Sequence, residues 1–188
     1  MLKRDLLKII LVTSFLGCLF GPLSLWADSD SDDESAAIKK VEVIKVTDLQ
    51  QLGQESLQRN LPIVMMLSAD GCSWCLKLEE EHFKPMLRSG EYENKALIRQ
   101  FKIDDGLLVR DFDGQMVSPD EINGRYGAFV TPTIIYLDGN GSELAKKMVG
   151  MGTSHYFGSY LDVAIDESLD KLHRTTPLRA KLAKLSAQ

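Results

Sequence analysis

The sequence predicts an α/β fold in which a mixed central sheet carries helices on both faces. Three observations carry that expectation. Ile63-Val64-Met65-Met66-Leu67 is a short, continuous apolar run, the pattern of a strand covered on both sides. Strand-like and helix-like segments alternate in the order β-α-β-α-β-α-β-β-α, which joins parallel strands through helices. Asp138-Gly139-Asn140-Gly141 is a hairpin signal, so the last two strands run antiparallel.

Each element has its own reason. Val41 to Val46 alternates weakly and reads as a short strand. Thr47 is placed to cap a helix that runs to about Asn60, with Asp48 in its first turn and Leu49, Leu52 and Leu57 facing the core. Pro62 to Leu67 is the central strand, and Ser68-Ala69-Asp70-Gly71 breaks it. Cys72 to Phe83 has Trp74, Leu78 and His82 or Phe83 at helical spacing, and Pro85 is expected to end or kink that helix. Ala96 to Ile103 is another strand. Asp104 to Val117 is polar, contains glycine and reads as a loop. Ser118-Pro119-Asp120-Glu121 combines a serine cap, a proline in the first turn and an acid three residues after the cap; the helix it opens should stop at Gly127. Thr133 to Leu137 is a strand and Glu143 to Val149 its hairpin partner. Thr153 or Ser154 opens a long helix to about Leu172, with Tyr156, Tyr160, Leu161, Ala164 and Ile165 as its core stripe. Pro177 is expected to open a last short helix, Leu178 to Leu185.

The composition narrows the function classes. With 188 residues, 44% of them hydrophobic and 26% charged, the chain is neither disordered, collagen-like nor a disulfide-dense miniprotein. Only one stretch is continuously apolar, which excludes a polytopic membrane protein. The net charge of −5, with no basic cluster past the first eight residues, argues against a nucleic-acid partner.

The apolar stretch is at the N-terminus. Lys3, Arg4 and Lys8 precede an uncharged run from Ile9 to Trp26, and the polar segment Asp28 to Glu34 follows Ala27. This is the signal-peptide pattern, with cleavage expected after Ala27. An uncleaved membrane anchor and a lipoprotein modified on Cys18 are the two alternatives. The expected organisation is therefore a signal peptide over 1–27, a flexible acidic lead-in over 28–40 and one domain over 41–188. Export through this signal implies a periplasmic protein. Removal of 1–27 leaves 19 basic and 26 acidic residues and only two cysteines, Cys72 and Cys75. Two cysteines three apart cannot staple distant segments, so they do not form an ordinary structural framework.

Cys72-Ser73-Trp74-Cys75 falls where the central strand meets a helix. Unpaired N–H groups and the positive dipole end at a helix start favour a thiolate. A thiol with pKa near 8.5 is only about 3% thiolate at pH 7; one lowered to about 7 is half ionised. A second cysteine one turn on can attack a mixed disulfide and release the partner. Half of a zinc site is one alternative, but zinc needs two more ligands, and His82, His155 and His173 have no paired spacing. An inert buried disulfide is the other. No metal and no cofactor are expected.

Taken in order, four segments resemble the thioredoxin superfamily, and most of all its exported SoxW-type thioredoxin-like domains. They are Ile63 to Cys75, Phe101-Lys102-Ile103-Asp104, Tyr126 to Thr133, and Asp138 to Gly150. The resemblance covers roughly residues 40–172 and implies a thioredoxin-like fold with thiol–disulfide oxidoreductase activity. It implies that Cys72 attacks and Cys75 resolves, and that Thr131-Pro132 is a cis bond beside them that positions an extended partner. Trp74 then belongs to the active-site rim. The chain departs from the thioredoxins proper at Met66 and Ser68, where they carry a buried Asp and a Trp, and at Gln100, where they carry a lysine. The usual proton acceptor for Cys75 is thus missing, and Glu79, one turn beyond Cys75, is the candidate replacement. The implied partners are protein thiol or disulfide clients and a membrane-linked or periplasmic electron donor, with the protein a monomer. The reducing direction is favoured. A disulfide isomerase or oxidase, and a non-catalytic assembly factor or metallochaperone on the same fold, are the rival readings.

Overall fold

The structure is a computed structural model that describes residues 40–152 and 154–186. The expected signal segment, nearly all of the acidic lead-in, Cys18 and Thr153 lie outside the described residues. Among the described residues no helix is long and apolar enough to cross a membrane.

One five-stranded sheet organises the domain. Its strands are β1 (Ile44–Lys45), β2 (Ile63–Ser68), β3 (Leu97–Lys102), β6 (Thr133–Leu137) and β7 (Met148–Val149), in the spatial order β1-β3-β2-β6-β7. β1 and β2 run parallel to β3, whereas β6 is antiparallel to both β2 and β7. All six residues of β2 are buried, as its uninterrupted apolar run predicts for a strand with helices on both sides.

Successive side chains of a strand point to opposite faces, so the sheet divides the core in two. Val64, Met66, Ile98, Ile134 and Tyr136 pack with α2 (Ser73–Leu78), α3 (Lys84–Ser89) and α5 (Ser154–Ser186). Ile63, Met65, Leu67, Phe101 and Ile135 pack with α1 (Leu49–Arg59) and α4 (Pro119–Tyr126). The α4 boundaries are those the sequence gives reason to expect. Ser118 and Glu121 form a reciprocal capping box, and Gly127 closes the helix in the left-handed region.

Several local expectations are corrected. The cap of α1 is Asp48, not Thr47: its carboxylate accepts the Gln51 N–H at 2.8 Å, a role the shorter-range cap motif assigns equally to either residue. Leu57 on that helix is 54% exposed rather than part of the core. Pro85 does not end the active-site helix. A widened π-helical turn (Glu79–Phe83) precedes it, with the Lys84 N–H on the Glu79 carbonyl, so Pro85 falls in the first turn of α3, where its missing N–H has little to lose.

Asp104 to Val117 is not all loop. It contains a two-stranded hairpin, β4 (Val109–Arg110) and β5 (Met116–Val117), whose buried Val109 and Val117 join the α1–α4 core. Strands of two residues are too short for alternation to show. The Glu143 to Val149 strand shrinks to β7 and a single bridge between Leu137 and Glu143. Pro177 does not open a separate helix but lies inside α5. In the preceding turn the Thr175 hydroxyl donates to the Lys171 carbonyl at 3.0 Å and the Thr176 hydroxyl to the Leu172 carbonyl at 2.9 Å. On the same helix Leu161 and Ile165 are buried as expected, but Tyr156 and Tyr160 are 66% and 63% exposed and Phe157 takes the core position.

Candidate active site

Cys72 and Cys75 lie where β2 gives way to a helical run over residues 73–89. Ala69 to Gly71 turn the chain, with Gly71 at φ 68°, a left-handed conformation glycine adopts without side-chain conflict. Asp70 holds this turn to the end of β3. Its N–H donates to the Asp104 carboxylate at 2.7 Å, and its own carboxylate pairs with Lys102, which also keeps the Asp70 pKa below the usual carboxylate value. Asp70, Asp104 and Asp105 together offer three exposed carboxylates, but Lys102 already neutralises the first of them.

Cys72 is the cap residue of α2, with extended backbone, and its sulfur accepts the Cys75 N–H at 3.1 Å. The two sulfurs form a disulfide of 2.08 Å with Cα atoms 5.3 Å apart. Cys72 is half-buried while Cys75 is only 3% exposed. A partner therefore meets the Cys72 sulfur first. Donor N–H groups at a helix start are of the kind that favour a thiolate.

The other site residues of the sequence reading fall into two groups. Trp74 is 54% exposed, with the Lys77 ammonium 5.4 Å from its ring centroid, and so stands on the rim rather than in the core. The Thr131–Pro132 peptide is cis. Thr133 pairs with Leu67 across β6 and β2, which sets the Thr131–Pro132 turn beside the end of the strand that leads to Cys72. Pro132 is buried and its carbonyl accepts the Gly150 N–H at 2.7 Å, while Thr131 is half-buried. Phe129 and Val130, just before it, are 80% and 54% exposed.

Glu79 lies one turn beyond Cys75 on the helical run, as its spacing implies, and its N–H donates to the Cys75 carbonyl. It is largely buried, pairs with Lys84 at 3.2 Å, and lines a cavity of about 330 Å³ with Val43, Leu76, Lys84, Gln100 and Lys102. Met66 pairs with Gln100 across β2 and β3, so both face the active-site helix. Met66 is fully buried in the cluster that holds Cys75. Ser68 is buried too, its hydroxyl 3.4 Å from the Phe101 carbonyl. Met66 and Ser68 thus put no carboxylate on the strand here, and Glu79 lies on the helical run itself.

Sequence reasoning missed the Asp70–Lys102–Asp104 tie, because an ion pair between a turn and the end of a strand 32 residues away leaves no periodic signal. His82, named in the sequence only for its helical spacing and as an unpaired zinc candidate, has its Nε2 buried without a hydrogen-bond partner and its ring 5.1 Å from that of Phe157. Burial lowers its pKa.

Comparison with known proteins agrees with this architecture. A family model described as a thioredoxin-like domain matches residues 49–165. Among curated proteins there is no significant match. Solved structures similar to the chain include a thioredoxin of Malassezia sympodialis, at 18% identity, covering 69% of this chain and 96% of that one, with a TM-score of 0.47. Mitochondrial thioredoxin 3 of Saccharomyces cerevisiae, in its oxidised form, is 19% identical over 66% of this chain and 94% of its own, with a TM-score of 0.45. Spinach chloroplast thioredoxin f is 14% identical over 68% and 93%, with a TM-score of 0.48. At these scores and identities the structural likenesses carry no argument about activity.

Proposed function

This chain belongs to the thioredoxin-like domain family, and on that premise we propose that it is a periplasmic thiol–disulfide oxidoreductase that reduces disulfides of protein clients. The observation that carries the proposal is the asymmetry of the cysteine pair. Cys72 is reachable and placed at a helix start, whereas Cys75 is buried one turn on and bonded to it.

In the reduced enzyme the Cys72 thiolate attacks a client disulfide. A bond forms between Cys72 Sγ and one client sulfur, and the other client sulfur leaves as a thiolate and takes up a proton. Cys75 then loses its proton and attacks Cys72 Sγ; the Cys72–Cys75 bond closes and the second client sulfur leaves. The client is reduced by two electrons and the enzyme carries the disulfide. A membrane-linked or periplasmic donor returns the pair to the dithiol.

The remaining residues assist. The Thr131–Pro132 turn and the Trp74 ring border the sulfur that receives the client and position an extended segment there. With Met66 in place of a buried acid, Glu79, one turn beyond Cys75 on the helical run, is the acceptor for the Cys75 proton. The protein acts as a monomer, and the signal-peptide pattern supports delivery to the periplasm.

The test is dithiothreitol-driven reduction of insulin by the purified protein. Turnover is expected for the wild type and none above background for Cys72→Ser. Cys75→Ser should accumulate mixed disulfides through Cys72. Wild-type turnover in the Cys72→Ser protein would refute the mechanism. A distinct measurement decides direction: equilibration with glutathione buffers should place the pair below the glutathione couple, and a potential well above it would make the protein an oxidase or isomerase.

A further inference from the structure

The last residues of the sequence differ in charge from the acid-rich domain before them. After Asp170 come Lys171, Arg174, Arg179, Lys181 and Lys184 and no acidic residue, so all 27 acids lie at or before Asp170. The sequence reading found no basic cluster past the first eight residues because these cations are not adjacent. A helix gathers spaced residues onto its faces, and α5 runs without interruption to Ser186.

The domain contacts α5 at Leu172, His173 and Thr176. Leu172 is buried, His173 Nε2 lies 3.1 Å from the Asn60 carbonyl oxygen, and the Thr176 hydroxyl lies 3.1 Å from Asn60 Oδ1. The ten residues from Pro177 to Ser186 extend about 15 Å further at 1.5 Å per residue. At about 100° per residue, Leu178, Leu182 and Leu185 fall within an arc of roughly 60°. Arg179 stands roughly 60° beyond one edge of that arc and Lys181 roughly 40° beyond the other, with Lys184 further round. Leu185 is 59% exposed.

An apolar arc with cations along both edges fits a helix lying in the interface of an anionic bilayer. The leucines enter the acyl boundary, and the cations reach the headgroup phosphates on flexible stems. We propose that the segment Pro177–Ser186 docks this protein on an anionic membrane surface. A nucleic acid would use the cations and leave the leucines in water. An apolar protein groove would bury the leucines and gain nothing from the cations. An anionic bilayer uses both. It also repels the acid-rich remainder of the chain, which orients the molecule with this end toward the lipid. The segment is far too short to span a bilayer and lies on it.

Hydrogen exchange read by mass spectrometry tests this on the full chain. Peptides covering residues 173–188 report on this segment alone and separate it from any lipid binding by the apolar N-terminal residues. The chain is compared in buffer, with phosphatidylcholine vesicles, and with vesicles containing about one third phosphatidylglycerol. Exchange over residues 178–186 should slow roughly tenfold or more on the anionic vesicles only, a factor that one or two cations supply at such a surface. The triple variant Leu178→Ser, Leu182→Ser, Leu185→Ser and the triple variant Arg179→Glu, Lys181→Glu, Lys184→Glu should each lose the protection while keeping wild-type insulin reduction. No protection on anionic vesicles would overturn the proposal, and so would equal protection on both vesicle types. Protection that rises with protein concentration without vesicles would give this face to a second copy of the chain and equally overturn it.

Discussion

Among the described residues, the face of the sheet covered by α1 and α4 and the face covered by α2, α3 and α5 each bury sixteen apolar residues, so the two differ in kind and not in size. On the α1–α4 side local chemistry and packing agree. Asp48 caps one helix, the Ser118–Glu121 box caps the other, and the backbone of α1 at Gly53 rests on Gly139, where a Cβ would come within 2.4 Å of the carbonyl oxygen. The Asp111 carboxylate, 5% exposed, is held by Arg125 at 2.9 and 2.5 Å, which fastens the β4–β5 hairpin to α4 and keeps the Asp111 pKa low. Its single buried polar atom without a partner, among the described residues, is Asn123 Oδ1. The other face buries Cys75, Gln100 beside Met66 and the orphan Nε2 of His82, carries a π-helical turn of which only Phe83 is buried, and leaves a polar cavity around Glu79. One face is closed by helix caps and a buried ion pair, and the other carries the disulfide, the orphan histidine nitrogen and a polar cavity.

Substitutions that break this contrast follow from the largest effect down. Ile122, fully buried on α4, is remote from the sulfurs. Ile122→Ala should cost about 2–5 kcal/mol of unfolding free energy while insulin reduction per folded molecule stays at the wild-type level. Urea denaturation and turnover, measured together, check it; a large change in turnover of the folded protein would erase the division between the faces. Met66→Asp places an acid in the cluster that holds Cys75. It should speed resolution of the mixed disulfide near neutral pH and cost stability, by roughly 1–3 kcal/mol or more for a buried polar group left unpaired. Stopped-flow release of a bound client thiol reads the first effect, and an unchanged rate in a folded variant would show that the Glu79 route already suffices.

Glu79→Gln should slow that same release step, several-fold at neutral pH, and leave the attack by Cys72 unaltered. If Glu79 only pairs with Lys84 for stability, the release rate will not move.

The smallest expected effect is a pH dependence. Burial disfavours the protonated His82 ring in the fold, with Glu81 and Asp162 pulling weakly the other way. In the unfolded chain a histidine takes up its proton near pH 6.5. The unfolded state therefore binds more protons just below that value. The contribution of the neutral ring is complete above about pH 6.5 and is lost as pH falls below it toward the lowered folded value. Urea midpoints at about pH 7.5 and 5.5 should show a fall for the wild type that is reduced in His82→Phe, which keeps the contact with Phe157. A parallel fall in both proteins would place the dependence elsewhere.

The unequal legibility of the sequence follows the same division. β2, α4, β6 and the Cys72–Cys75 pair are readable because each states its structure within a few residues: an apolar run, a capping box, a strand before a turn signal, two cysteines at a helix start. The β4–β5 hairpin and β7 are not, since two residues carry no period and their pairing is decided by contacts such as Asp111–Arg125. Pro85 and Pro177 misled for a related reason. A proline reports the loss of one hydrogen bond, but whether the helix survives depends on its surroundings: a widened turn puts Pro85 at the start of α3, and α5 runs on past Pro177. At the site, residue types pointed to Cys72, Cys75, Trp74 and the Thr131–Pro132 turn. The placing of Glu79 in a cavity with Lys84 and Gln100 needed the fold.

The central claim is that Cys72 and Cys75 form a working redox couple whose reachable sulfur is Cys72. The most direct measurement is titration of the purified protein through glutathione buffers, followed by alkylation and mass spectrometry of the peptides containing Cys72 and Cys75. The account predicts one reversible two-electron transition between the internal disulfide and the dithiol, with Cys72 the faster of the two thiols to alkylate in the reduced state. A pair that stays locked in either state across the whole titration, or faster alkylation of Cys75, would contradict it.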